Sequence, residues 1–160
     1  IGERPIIRIM PNLPAQIGRG VSALYANPKC SQVQIETAHG LTDAVGYTLV
    51  VASEDELDRV TALAGSGPGY VFEITRCWIE SAQKLGFSAK MARDIVLNTL
   101  GGSIELAIAS DQSMADLRNS VTSKNGTTEA GLMAFTRDEQ LSTLFDSTMQ
   151  AAYQRAVELR

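Results

Sequence analysis

The sequence predicts a mostly helical protein in which a short α/β segment precedes an all-helical region. Three observations support this fold class. Short apolar runs bounded by Pro, Asn or Ser alternate with one helical stretch over the first 52 residues, as in α/β folds. From Ser53 onward, apolar residues recur at helical spacing. Several of these helical runs follow a serine that can cap a helix N-terminus.

The α/β segment contains the closing strands of a sheet. Short apolar runs bounded by prolines, asparagine and serine predict strands at Ile6–Met10, Val21–Tyr25 and Tyr47–Val51. The first strand is expected to be buried. Ser31 caps a predicted helix that ends at Val45, with an inner face formed by Val33, Ile35, Leu41 and Val45.

The helical region is divided by caps and glycines. Helices are predicted at Ser53–Leu63, Pro68–Leu85, Ser88–Ala109, Met114–Asn119 and Asp138–Leu159. The Ser88 helix is expected to turn Met91, Ile95, Leu100, Ile104 and Ile108 inward. Gly101 and Gly102 each cost this helix about 1 kcal/mol relative to Ala. Either close approach of another helix or a mild kink accounts for them.

Composition limits the classes of partner. A net charge of −4 and a pI near 5.0 argue against nucleic acid and anionic membranes, which need a basic patch. No apolar run approaches the roughly 20 residues that span a bilayer. Cys30 and Cys77 are isolated, as in reduced cytoplasmic proteins, and His39 is the single histidine, so we expect a cytoplasmic protein without a metal site.

The segment Leu117–Leu132 combines hydroxyls, a glycine and a helix start. Gly126 permits close backbone approach, and Thr127 is a plausible N-cap of the following helix. The first N–H groups of a helix lack intrahelical acceptors, so they can bind a small anion such as a carboxylate. An ordinary capped helix after a polar turn explains the same spacing.

Three blocks of sequence resemble the pyrroline-5-carboxylate reductase family, in the family's order. Residues Val121–Leu132 are similar to its C-terminal signature, Ile9–Ala15 to its MPNTPA segment, and Asp58–Tyr70 to its DAVTALSGSGPAY segment. Leu13 replaces the usual Thr, while Lys124 and Asn125 replace the usual Pro and Gly.

This resemblance implies the reduction of 1-pyrroline-5-carboxylate to L-proline with NADPH or NADH. It implies that residues 1–52 close a Rossmann-type cofactor domain and that residues 53–160 form a helical dimerisation and substrate-binding domain. No G-x-G-x-x-G fingerprint follows a strand in this sequence. We therefore expect the C-terminal portion of the enzyme, inactive alone, with most of the cofactor domain absent. Its expected partners are the small-molecule substrate and itself, as a homodimer or higher oligomer.

The resemblance also implies roles for individual residues. Ser123, Gly126, Thr127 and Thr128 would bind the substrate, with Thr128 as the catalytic residue that meets the ring nitrogen. Met10, Pro11 and Asn12 would line the nicotinamide pocket. Asp111 and Ser120 would lie near the same cleft without touching the substrate.

Two other functions fit the sequence less closely. The chain could be a helical oligomerisation module without activity of its own. It could also belong to another reductase with a helical C-terminal domain, such as a 3-hydroxy acid dehydrogenase. That group depends on a lysine in a helix, and Lys84, Lys90 and Lys124 lack a matching context.

Overall fold

The computed structural model describes residues 4–160 and is mostly helical, which confirms the predicted fold class. The strands are β1 (Ile7–Met10), β2 (Gly20–Ala26) and β3 (Gly46–Val51). The α-helices are α1 (Gln32–Asp43), α2 (Glu54–Val60), α3 (Gly67–Lys84), α4 (Ala89–Ile108), α5 (Met114–Ser120), α6 (Thr127–Phe135) and α7 (Gln140–Glu158). A π-helix at Thr61–Gly65 follows α2, and 3₁₀ turns lie at Leu13–Ile17 and Arg137–Glu139.

The three strands form one sheet in the order β1-β2-β3. Strand β2 pairs in parallel with β3, and α1 makes the connection between them, as a parallel pair requires. Strand β1 is antiparallel to β2, with Met10 opposite Ala23. Because β1 has one paired neighbour among the described residues, it is only half-buried, and Ile9 is 43% exposed. The prediction that this strand is buried was wrong.

The described chain divides into two compact units. The first unit comprises the described residues up to Val71 together with Asp146–Arg160, and the second unit is Phe72–Phe145. The domain boundary predicted after residue 52 stays a prediction.

The sheet of the first unit packs against α2 on one face and α1 on the other, since Val51 and Thr48 point to opposite faces of β3. On the α2 face, Ala23, Val51 and Leu57 form the apolar core. Helix α1 turns Ala38 and Thr42 toward the sheet, where Thr42 Oγ1 accepts a hydrogen bond of 2.9 Å from the hydroxyl of Thr48.

The inner face predicted for α1 was therefore wrong. Val33 and Leu41 lie 70% and 71% exposed, because a small residue and a hydrogen-bonded threonine occupy the buried positions. The buried face of α1 is therefore set by the small size of Ala38 and by the Thr42–Thr48 hydrogen bond, and not by the most hydrophobic side chains.

The second unit is built on helices α3 and α4, which pack through small side chains. Ala82, Ala92 and Val96 form its core, with Ile79 and Leu100 against it. The larger residues predicted to point inward lie mostly open in this chain: Met91 at 53%, Ile95 at 45%, Ile104 at 59% and Ile108 at 76% exposed. The α3–α4 contact uses the small-residue face, which leaves this apolar face uncovered.

Serine residues cap the N-termini of four helices, and the sequence predicts three of these caps. Ser31 forms a complete capping box with Gln34. Ser53, Ser88 and Ser113 each accept from the backbone N–H three residues on. Each such cap typically contributes about 1 kcal/mol to helix stability.

Candidate functional site

The hydroxyl loop, residues 121–128, connects α5 to α6 in the second unit. Helix α5 ends in a tight turn, in which Thr122 donates its N–H to Asn119 O over 3.0 Å. The Thr122 hydroxyl donates to Arg118 O over 2.6 Å. These two bonds satisfy the last carbonyls of α5 and fix the point at which the loop departs.

A second turn within the hydroxyl loop places Ser123 against Gly126. The N–H of Gly126 donates to Ser123 O over 3.0 Å. Asn125 has φ of 59°, a left-handed conformation that asparagine tolerates better than most residues. A Cβ on Gly126 would collide with Ser123 Oγ and lie 3.0 Å from Ser123 O, so a larger residue here would displace the serine side chain.

Helix α6 begins one residue earlier than predicted. Gly126 is the N-cap, with extended dihedrals of −84° and 171°, and Thr127 is already the first helical residue. The prediction that Thr127 is the N-cap was wrong. The reason is that the turn ends at Gly126, and glycine is an acceptable N-cap although it offers no side-chain acceptor.

This start leaves polar groups at the helix end available. Among residues 4–160, the N–H groups of Thr127 and Thr128 meet no acceptor, since α6 bonding begins with Ala130 N–H to Gly126 O. The hydroxyls of Ser123, Thr127 and Thr128 are exposed and also lack a partner within the described chain. Unpaired donors together with the positive end of the helix dipole favour a bound anion.

One acidic side chain already contacts the hydroxyl loop. Glu129 Oε2 accepts from Asn125 N–H over 2.6 Å. This carboxylate satisfies one donor of the turn and leaves those of Thr127 and Thr128 free. Lys124 is exposed and forms no ion pair among the described residues.

Ser120 and Asp111, the two residues predicted to lie near the cleft, lie outside the hydroxyl loop. Ser120 is exposed, and its hydroxyl donates to Leu117 O over 2.7 Å within its own helix. Asp111 is exposed in the segment between α4 and α5. The role predicted for this pair stays a prediction.

The predicted nicotinamide segment lies in the first unit, where β1 ends. Asn12 Oδ1 accepts from Val21 N–H over 2.8 Å, and Asn12 Nδ2 donates to Ala64 O over 3.0 Å. Met10 packs on Gly65, since a Cβ added to that glycine would lie 2.6 Å from Met10 Cε. We call this set of contacts the strand–π junction, because it joins the end of β1 to the π-helix.

The strand–π junction limits how this segment could hold a nicotinamide ring. Both ends of the Asn12 carboxamide are paired with backbone, so that side chain is held in place and is not free to turn toward a cofactor amide. Pro11 and Leu13 are exposed beside it. The nicotinamide-pocket role predicted for Met10, Pro11 and Asn12 stays a prediction.

A polar cluster between α2 and α7 was not predicted from sequence. The Tyr153 hydroxyl donates to Asp55 Oδ1 over 2.5 Å, and Arg59 pairs with the same carboxylate. The hydrogen bond from Tyr153, with the charge of Arg59, lowers the pKa of the Asp55 carboxyl, and the same bond raises the pKa of Tyr153. Arg160 pairs with the buried Asp58 one turn along. The Tyr153–Asp55 and Arg160–Asp58 pairs join residues 98 and 102 positions apart in sequence, so no local pattern reveals them.

Membrane-spanning helices and metal-binding clusters are both absent from residues 4–160. No helix there is both long and apolar enough to cross a membrane. No group of three or more His, Cys, Asp or Glu side chains in that range could hold a metal ion.

Comparisons with known proteins agree with the three sequence blocks. Residues 54–159 match the family model for pyrroline-5-carboxylate reductase dimerisation. A pyrroline-5-carboxylate reductase of Pseudomonas aeruginosa is 41% identical, over 98% of this chain and 57% of the relative. The enzyme of Staphylococcus aureus strain COL is 34% identical, over the same shares of chain and relative. The chain thus spans a little over half the length of these curated relatives.

Solved structures extend the similarity to the fold. A pyrroline-5-carboxylate reductase from Coxiella burnetii superposes with a TM-score of 0.92 at 36% identity, over 99% of this chain and 58% of that one. The Plasmodium falciparum pyrroline carboxylate reductase with NADP bound gives 0.90 at 26% identity, over 97% and 62%.

Proposed function

We propose, from the premise that this chain belongs to the pyrroline-5-carboxylate reductase dimerisation family, that it serves the NAD(P)H-dependent reduction of 1-pyrroline-5-carboxylate to L-proline. The observation that carries this proposal is the hydroxyl loop. Its free hydroxyls and N–H groups at the start of α6 suit a small ligand that bears a carboxylate next to a ring nitrogen.

The substrate carboxylate would be held by the start of α6. Main-chain N–H groups of Thr127 and Thr128 and the hydroxyl of Ser123 are its donors in this proposal. Gly126 keeps Ser123 close to these N–H groups, because a larger residue would displace the serine. Such donors need no rearrangement of the chain, since none of them is paired within the described residues.

Thr128 would be the catalytic residue at the ring nitrogen. The substrate is reduced most readily as the protonated iminium, whose N–H can donate to a threonine hydroxyl. Hydride addition to the C=N carbon converts that nitrogen into the amine of proline, and its new lone pair can accept from the same hydroxyl. Thr128 therefore orients the ring before and after reduction without acting as a strong acid.

Bound NADPH or NADH would supply the hydride, and this chain would contribute part of the nicotinamide pocket. Met10, Pro11 and Asn12 form that part, through apolar surface and main-chain groups. The NADP-bound structural relative supports a nicotinamide cofactor for the family.

The uncovered apolar face of α4 would bury itself against a second copy. Ile95 and Ile104 are large and exposed, and a Cβ added to the neighbouring Gly102 would meet no atom of residues 4–160 beyond its own helix backbone within 4 Å. We propose a homodimer that buries more than the roughly 2,000 Å² typical of obligate interfaces. Light scattering should give twice the protomer mass at micromolar concentration, and a stable monomer would contradict the dimer.

The catalytic proposal is tested by assaying the full-length enzyme, called the intact protein below, because this chain alone has no dinucleotide-binding fingerprint. It should oxidise NADPH or NADH in the presence of 1-pyrroline-5-carboxylate and form proline in equal amount. A dimer with no such activity would instead support the oligomerisation module. Strong activity with a 3-hydroxy acid and NAD(P)⁺ would support the other reductase class.

A further inference from the structure

The strand–π junction brings together two of the three sequence blocks that resemble the family. Asn12 belongs to the first block, whereas Ala64, Gly65 and Pro68 belong to the second. All four lie in the first unit. The junction therefore offers a physical reason why these two blocks occur together in one chain.

The second block leaves the Ala64 carbonyl without the usual donor from its own helix. In a regular helix the Ala64 carbonyl would accept from the N–H four residues on, but that residue is Pro68, which has none. Two neighbouring donors are also committed, since Ser66 N–H bonds to Thr61 O at 3.0 Å and Gly69 N–H bonds to Ser66 O at 2.9 Å. A half-buried carbonyl in this position costs stability unless another donor reaches it.

The side chain of Asn12 supplies that donor. Its Nδ2 lies 3.0 Å from Ala64 O, and its Oδ1 accepts from Val21 N–H at 2.8 Å. One carboxamide thus connects the loop after β1 to both β2 and the π-helix. Gly65 adds a second point of contact, because the absence of a side chain there makes room for Met10.

We propose that Asn12 is a positioning residue that holds the segment Met10–Leu13 against the π-helix and so sets the shape of the nicotinamide pocket. Pro68 takes part by removing the helix's own donor, which reserves the Ala64 carbonyl for Asn12. The effect on the cofactor rests on the proposed function, while the tether itself rests only on contacts within this chain.

A double-mutant cycle in the intact protein separates the tether from simple carbonyl pairing. Asn12→Ala removes both bonds and leaves the Ala64 carbonyl unpaired, so Tm should fall by about 4–8 °C. Pro68→Ala restores an N–H that can reach Ala64 O within the helix. In the double variant N12A/P68A, at least half of the lost Tm should return.

Cofactor affinity should not recover with the stability. The Kd for NADPH, measured by nicotinamide fluorescence, should rise about tenfold in N12A and stay raised in N12A/P68A, since the loop remains untethered. Return of the NADPH Kd to the wild-type value in N12A/P68A would overturn the positioning role. Failure of Pro68→Ala to recover any Tm would overturn the pairing of the amide with Ala64 O.

Asn12→Asp provides a milder test should N12A not fold. The aspartate keeps an acceptor for Val21 N–H but turns a carboxylate oxygen, rather than a donor, toward Ala64 O. It should raise the NADPH Kd about as much as N12A, and an unchanged Kd would contradict the tether. If the wild-type protein fails to reduce 1-pyrroline-5-carboxylate, the proposed function is wrong, yet the Tm cycle still decides whether Asn12 pairs with Ala64.

Discussion

The strand–π junction and the hydroxyl loop both come from blocks that resemble one family, yet their polar groups are in opposite states. At the junction, both ends of the Asn12 carboxamide are paired with backbone, and the site is half-buried. In the hydroxyl loop, Ser123, Thr127 and Thr128 are exposed, and their hydroxyls are unpaired within the described chain.

This difference shows how to tell residues that support the fold from residues that can bind a ligand, a distinction that sequence motifs alone do not make. A polar side chain that the protein's own backbone holds at both ends contributes position. One whose groups are free at a helix start can be completed by a ligand. Asn12 and Thr128 both belong to blocks that resemble the family. Their hydrogen bonds nevertheless predict different roles, a structural one for Asn12 and a ligand-binding one for Thr128. The following substitutions test that prediction.

The largest effect is expected at Thr128. In the intact enzyme, Thr128→Ala should lower kcat/KM for 1-pyrroline-5-carboxylate by about tenfold to a hundredfold, as expected for one lost hydrogen bond to a charged group. Thr128→Ser keeps the hydroxyl and should keep most of the activity. Thr37→Ala, which removes an exposed helical hydroxyl in the first unit, is the matched control and should leave kcat/KM unchanged.

Stability separates a catalytic role at Thr128 from a structural one. The residue is exposed, and it is not the cap of α6, so T128A should shift Tm by less than about 2 °C. NADPH affinity should also stay near the wild-type value. If T128A retained full kcat/KM, Thr128 would be an ordinary helix-start residue.

A moderate effect is expected at the glycines of α4. Gly102→Ala would stabilise an isolated helix by about 1 kcal/mol, and the added Cβ would meet nothing within 4 Å among the described residues outside its own helix backbone. On the proposed dimer face it should instead weaken dimerisation, because a partner helix occupies that space. Gly40→Ala in α1 has equally open surroundings and serves as the control that should raise Tm. A Tm increase of equal size for both variants would argue against close packing at Gly102.

The smallest effect is expected in the α2–α7 cluster. The Asp55 carboxyl has its pKa lowered below 3.8, chiefly by the Tyr153 hydroxyl, so its contribution to stability is present above that pH and is lost as pH falls through the folded pKa. Tyr153 has its pKa raised above 10.0, so its contribution is present below that pH and is lost as pH rises through the folded pKa.

Tyr153→Phe removes this hydrogen bond. Denaturant unfolding should show the wild type more stable than Y153F between about pH 4 and pH 10, with the difference shrinking on both sides of that window. Phenylalanine differs from tyrosine only by the missing hydroxyl. Residues Gln150 and Tyr153 also border a groove of about 600 Å³ on the first unit, so phenylalanine at position 153 should fit without repacking of its neighbours. A difference in stability that is constant from pH 3 to pH 11 would show that the bond is not its cause.

The sequence was sufficient for most elements of the fold because their signals are local. Ser31, Ser53 and Ser88 predicted the starts of their helices, since a cap acts within three residues. Helix faces were harder to predict. Hydrophobicity placed Met91 and Ile95 inward, whereas α3 and α4 pack through Ala82, Ala92 and Val96.

The candidate site was predictable in location but not in its contacts. Hydroxyls and a glycine before an apolar run indicated the hydroxyl loop, yet the cap lies at Gly126 because the preceding turn ends there. The bond from Asn12 to Ala64 joins positions 52 residues apart and depends on the missing N–H of Pro68. Such a pairing follows from tertiary structure, which periodicity and capping rules do not contain.

The most direct test of the central contrast is an amide NMR titration of the intact protein with L-proline, compared with pyrrolidine, which lacks the carboxylate. Proline should shift the N–H resonances of Thr127 and Thr128 and leave that of Val21, whose N–H is held by Asn12, unchanged. Pyrrolidine at the same concentration should leave Thr127 unshifted, because it has no carboxylate for that N–H to bind. Shifts at Val21 without shifts at Thr127 and Thr128, or an equal response to both ligands, would contradict the assignment of the hydroxyl loop as the carboxylate site.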